Sequence, residues 1–145
     1  MQLHPVSFDK ETDLRYEFQL ETSVNNRFGY TLIAKFTGTY RPGSAGAPDA
    51  HFICGIAQTA IAMWDPAALI LDLRELSYTW GDEMVLVLDA GSDRHIPTSV
   101  VGSAACLPAI GTLIYGINST QPATDAESIF DSIEEAWEYV HKKAS

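Results

Sequence analysis

His51 and Cys54 stand three residues apart, a spacing that places two side chains on one side of a helix. A thiol beside a base is the minimum that nucleophilic chemistry needs. Cys54 also borders the apolar residues Phe52, Ile53, Ile56 and Ala57, so a buried thiol is the expectation. Cys106 has no partner in sequence, and neither cysteine belongs to a Cys-x-x-Cys pair. Two reduced thiols in a cytoplasmic protein fit this usage. His4, His51, His95 and His141 are scattered, and Asp93 with His95 in a loop are too few ligands for a metal. The carboxylate pairs Asp82-Glu83 and Glu134-Glu135 have the chemistry of general acids and bases. Both open predicted helices, where the dipole favours acids in any case. Gly43 and Gly46 follow a predicted strand, but no Lys or further Gly completes a nucleotide loop. The expectation is therefore no catalytic residue, no metal and no cofactor.

Recognition is better represented. Tyr78 and Trp80 alternate at the end of a predicted core strand, directly before Asp82 and Glu83. Aromatic anchors ringed by polar groups are what interfaces favour. Asp89 and Asp93 follow closely, so Tyr78, Trp80, Asp82, Glu83, Asp89 and Asp93 form the candidate partner-binding set. The competing reading of Trp80 is packing beneath the helix that follows it.

The charge supports the same region. The formal net charge is −10. Residues 1–48 hold five acids and five bases, while residues 49–145 hold 14 acids and four bases. From Glu75 to Glu138 eleven acids face one base, Arg94. Such a surface disfavours nucleic acid and anionic lipid and steers towards a basic protein. The acids cluster around the predicted short helix and the last helix, which are expected on one side of a sheet.

The elements that must position these residues follow from periodicity. The 145 residues fit one domain, 1–145, with ordinary globular composition. No apolar run reaches membrane-spanning length, and the Met-Gln-Leu-His-Pro start does not read as a signal peptide. Residues 14–40 predict a β-hairpin with its turn at Asn25–Gly29, and a short strand is possible near Pro5–Phe8. Arg41–Pro48 predicts a loop without helix or strand, and Asp49 a helix cap. Phe52, Ile53, Ile56, Ala57, Ala60, Met63 and Trp64 predict the buried face of a helix ending at Asp65-Pro66. Residues 67–73 read as a central, parallel strand. Asp82 is the expected cap of a short helix covered by Met84, Val85, Val87 and Leu88 and ending near Gly91. Residues 96–102 predict a strand, 103–117 an irregular helix, and 128–130 a short edge strand. Ser132 is a capping-box start for a last helix carrying Ile133, Ala136, Trp137 and Val140 inward.

Four segments together resemble a STAS-type domain, the fold of bacterial anti-sigma-factor antagonists. They are Phe36-Thr37-Gly38 with the helix at 49–64, the strand Leu69-Ile70-Leu71-Asp72-Leu73-Arg74-Glu75-Leu76, the loop and short helix from Tyr78 to Leu88, and Ile129 to Trp137. The resemblance covers about residues 30–143. It implies an α/β fold with a mixed sheet of four to six strands, helices packed on it, and here an N-terminal β-hairpin. It also implies a phosphoacceptor serine at the start of the short helix. Trp80-Gly81-Asp82-Glu83 has no such serine, Asp82 stands in its place, and the nearest hydroxyls are Ser77 and Thr79.

The functional expectation is a non-enzymatic, acidic protein-binding domain. The first form of it is an inhibitor of the immunity-protein kind that neutralises a cognate partner such as a toxin. The alternative is a STAS-like regulatory antagonist in a partner-switching pathway. An enzyme or small-molecule binder built on His51 and Cys54 stands last.

Overall fold

The computed structural model describes residues 1–22 and 29–144. In chain order the elements are α1 (Phe8–Glu11), β1 (Arg15–Glu21), β2 (Thr31–Thr39), α2 (Ala47–Trp64), β3 (Ala68–Ser77), α3 (Met84–Leu88), β4 (Thr98–Val101), α4 (Leu107–Tyr115), β5 (Ile129–Phe130) and α5 (Ile133–Ala144). The strands lie in the order β1-β2-β3-β4-β5. Only β1 and β2 are antiparallel; β2, β3, β4 and β5 are mutually parallel. The mixed sheet, the N-terminal hairpin and the central parallel strand match the expectation. The hairpin's turn lies outside the described residues except for Gly29.

The central strand is buried on both faces because helices cover both. Leu69, Leu71 and Leu73 face α2, α3 and α4, while Ala68 and Ile70 face α5 through Ala136 and Val140. Between the pairs Lys35↔Asp72 and Thr37↔Glu75 the register shifts, with one extra residue on β3. A bulge of this kind rephases the side chains beyond it. Leu73 and Leu76, an odd number of residues apart, accordingly share the α2 face. Strict alternation would have turned one of them away.

Several local expectations are corrected. The stretch near Pro5–Phe8 is not a strand; Phe8 instead opens the single turn of α1. The loop after β2 contains a 3-10 turn, Gly43–Gly46, and α2 starts at Ala47 with Pro48 in its first turn, where its missing N–H costs nothing. Asp49 is therefore inside α2 and not its cap. The inward residues of α2 are Asp49, Ala50, Ile53, Ala57, Ala60 and Ile61, so Met63 and Trp64 are exposed. The predicted face had the right helix and a rotated stripe. Residues 107–115 form a regular helix, because Pro108 falls in its first turn and Gly116 at its end.

The expected single acidic side does not exist. α3 packs with the α2 face and α5 with the opposite one. The right-handed crossovers that link parallel strands put the two acidic helices on different layers.

Candidate functional site

The three parallel strands β2, β3 and β4 all end at the same edge of the sheet, and the loops that leave them are bonded to one another. The Tyr40 N–H donates to the Ser77 carbonyl (2.8 Å), Gly43 N–H to Trp80 O (3.1 Å), and Tyr78 N–H to Ala105 O (3.0 Å). The Ser103 hydroxyl donates to Arg74 O (2.8 Å). This edge is where open α/β sheets present their working surfaces.

Glycine makes the closest approach possible. Gly43 has φ +66°, and a Cβ there would lie 2.6 Å from the Trp80 indole. Gly81 has φ +141°, and its Cβ would sit 3.1 Å from Gly43 O. Both positions need a residue without a side chain. The indole thus lies close against the Gly43 turn, with 63% of Trp80 still exposed.

Tyr78 has the opposite fate. It is 2% exposed, its ring meets Tyr40 edge-on (5.0 Å, 86°), and its hydroxyl donates to Gly81 O (2.9 Å). Burial pushes its phenol up to about 12. The expectation of Tyr78 as a contact residue is corrected: alternation at the strand end sends it into the core, where it props the Trp80–Gly81 turn.

Asp82 is exposed and lies in the turn before α3, which has no side-chain cap bond. Asp82 is thus not the expected cap. Glu83 is half-buried, and its carboxylate is 3.8 Å from the His51 imidazole of α2. Asp89 and Asp93 are exposed beyond α3. Met84 and Val87 turn inward, leaving Val85 (47%) and Leu86 (44%) in solvent on the helix that follows Trp80. The outward role of Leu86 was not legible, because Met-Val-Leu-Val-Leu is apolar all round and carries no periodic signal.

His51 faces Glu83, and burial raises the Cys54 thiol to about 11, which disfavours the thiolate a nucleophile needs. Cys106 is buried and donates to Leu73 O (3.4 Å). The His141 ring is 3.0 Å from the Thr31 hydroxyl. Among the described residues, no three His, Cys, Asp or Glu side chains gather as a metal site. Among the same residues, no helix is long and apolar enough to cross a membrane.

Two ion pairs made to buried aspartates brace the loops. Asp49 (1% exposed) accepts the Thr12 hydroxyl (2.6 Å), the Arg41 N–H (2.8 Å) and the Arg41 guanidinium (3.0 Å). Asp72 accepts the Arg74 guanidinium (2.8 and 2.9 Å) and N–H (3.2 Å).

No family model matches the chain, and no curated protein matches it. A solved structure does: an anti-sigma factor antagonist from Mycobacterium paratuberculosis superposes with a TM-score of 0.53 at 14% identity, over 87% of this chain and 94% of that one. At that identity the likeness speaks for architecture, and it agrees with the five-stranded mixed sheet and its helices. The chain has the fold of that antagonist, the STAS fold.

Proposed function

We propose that this chain is a regulatory protein-binding domain, an antagonist of the partner-switching kind. Its partner docks on Trp80, Val85 and Leu86, with Asp82, Glu83 and Asp89 around them and Asp93 adding to the field. The observation that carries this is three exposed apolar side chains, Trp80 on a loop pinned by neighbouring loops and Val85 and Leu86 on the helix that follows it. Large exposed apolar side chains that are held in place, with acids at their margin, fit a hot spot with a polar rim. Tyr78 supports the surface from below. The acids favour a basic partner.

Neutralisation of a toxin rests on compactness, regional acidity and the lack of a catalytic motif, and the likeness of fold supports the regulatory reading in preference to it. Asp82 gives this surface a fixed charge where the resemblance implies a switchable serine. Of the two nearby hydroxyls, exposed Thr79 is the one a kinase reaches; Ser77 is half-buried at the end of β3.

The test is affinity capture from extracts of the source organism, with the wild-type chain and the variant Leu86→Asp as baits. The expected result is a kinase-type anti-sigma factor, retained by the wild type and lost by Leu86→Asp, whose far-UV circular dichroism is unchanged. Trp80→Ala is expected to weaken that complex about 30-fold. Lysine at both positions 82 and 83 is expected to weaken it and flatten its salt dependence. Equal retention by Leu86→Asp overturns the placement of the surface, and capture of a secreted toxin returns the inhibitor reading.

A further inference from the structure

The two edges of the sheet are unlike. β5 is two residues long, and very short edge strands resist unwanted pairing. β1 has seven residues, no proline and an unbroken register with β2 from Arg15 to Glu21. Among the described residues, no other segment makes a backbone hydrogen bond to the outer side of β1. Of the usual protections of an edge it has the charged side chains Arg15, Glu17 and Glu21, but no lysine, proline or bulge.

Beside that edge runs a row of rings. Phe8 meets Phe52 (5.9 Å), Phe52 meets Tyr16 (6.0 Å), Tyr16 meets Phe18 (5.4 Å), and Phe18 meets Trp64 (5.5 Å). Phe8, Tyr16 and Trp64 are exposed, as is Met63 next to them. At the Tyr16 end they border a groove of about 770 Å³ with Val6, Arg15 and Phe52.

We propose that the occupant of this edge is a second copy of the chain, its β1 paired antiparallel to the first with Phe18 opposite Phe18. Pairing all seven residues of the strand requires this register, and the strand's own charge pattern suits it. It sets Arg15 opposite Glu21 twice, Glu17 opposite Gln19, and Tyr16 opposite Leu20. Centring the pair on Glu17 would set that acid against itself, and centring it on Gln19 would set Glu17 against Glu21. Like charges directly opposite are destabilising, and opposite charges favourable. Centring on Phe18 also keeps Tyr16, Phe18 and Leu20 of both copies on the α2 face, because side chains in a ladder keep their alternation.

The location suits association of an otherwise acidic molecule. Residues 1–48 are neutral, with five acids and five bases, so the charge of −10 lies elsewhere in the sequence. A two-fold pairing is isologous, each copy giving and receiving the same contacts. An interface of ordinary size buries roughly 800 Å² on each side. The strand is joined in this by the exposed rings, Trp64 of both copies lying beside the axis next to Phe18.

Sedimentation equilibrium of the full chain over a dilution series is the test. The wild type is expected to be a dimer. Arg15→Glu, which sets two acids opposite each other at both ends of the pair, is expected to raise the dissociation constant about tenfold. Glu21→Arg does the same with two bases. The double variant R15E/E21R is expected to recover the dimer, and an equimolar mixture of R15E with E21R to form a heterodimer. A mixture of E17C and Q19C is expected to cross-link on oxidation, in preference to either alone. A monomeric wild type overturns the proposal. A dimer indifferent to R15E and to E21R moves the interface elsewhere and overturns it equally.

Discussion

The two buried aspartates, Asp49 and Asp72, make nearly the same ion pair and do different work. Each is almost completely buried, and each holds a guanidinium that is 44% exposed at the side chain. Asp72 and Arg74 belong to one strand, two residues apart, so their pair constrains little beyond the bulge on β3. Asp49 on α2 gathers Arg41 from the loop after β2 and Thr12 from the N-terminal segment, 37 positions away in sequence. Arg41 also donates to Glu11 O. The chemistry is shared, and the sequence distance it spans decides its structural value. A contact that closes a long loop fixes more chain than a local one.

The strongest way to break this comparison is to remove each acid. Asp49→Ala leaves the Thr12 hydroxyl and the Arg41 N–H without their acceptor and frees the N-terminal segment. It is expected to cost about 2–3 kcal/mol, less than for a fully buried pair because water can reach Arg41. It should also make the chain before β1 the first site of proteolysis. Asp72→Ala is expected to cost about 1–2 kcal/mol and to leave that segment protected. Equal losses in urea titrations would show that span does not matter here.

Acid sharpens the same contrast. Burial pushes the Asp49 carboxyl up, but the Arg41 and Thr12 bonds more than reverse this, and it lies below its ordinary value. Asp72 is likewise pushed up by burial and brought below its ordinary value by Arg74. A group depressed on folding contributes stability that is present above its unfolded pKa, near 3.9, and is lost as pH falls through the folded value. Stability is therefore expected to decline below about pH 4. Asp49→Asn should flatten that decline more than Asp72→Asn, as read from urea midpoints at pH 2–5.

Thr12→Val probes one strand of the staple alone. The lost bond is short and made to a charged, buried acceptor, so about 1.5 kcal/mol is expected. A loss below about 0.5 kcal/mol would mean that Arg41, and not the N-terminal segment, is what Asp49 chiefly holds.

None of this long-range pairing was legible in the sequence, where Asp49 after Pro48 looks like a helix cap. Periodicity reports which residues of one element face inward, and it reports nothing about a partner 37 positions away. The elements themselves were legible wherever alternation or helical spacing was strong, as in Leu14–Leu20 and Ile133–Val140. The reading failed where the pattern was uniform or interrupted. The apolar run Ala68–Leu73 did not reveal the bulge through which β3 continues to Ser77. Met84–Leu88 did not say which residues face out. Of the candidate surface, Trp80 and the acids were read as exposed features, and the place of Trp80 beside the Gly43 turn follows from loops that only the folded sheet brings together, while Asp93 lies apart, beside Gln58 and Ile61 of α2. Tyr78 was misplaced because two aromatics at i and i+2 look alike in sequence, and alternation ceases to relate them once the strand ends at Ser77.

The two faces differ in a final respect, and it supplies the smallest prediction. Among the described residues, the Tyr40 hydroxyl on the α2 face is the one buried side-chain polar atom without a hydrogen-bond partner. Burial pushes this phenol up, with Tyr78 and Asp49 adding to the effect. A buried hydroxyl that has lost water and gained nothing costs free energy. Its ring is nevertheless wanted, since it meets Tyr78 edge-on and would clash with any side chain at Gly46, where a Cβ would lie 2.3 Å from it. Tyr40→Phe keeps the ring and removes the unpaired group, so it is expected to leave the fold unchanged and to stabilise it by up to about 1 kcal/mol. A loss of similar size in thermal or urea unfolding would mean that the hydroxyl has a partner in solution, and the two faces would then be equally satisfied.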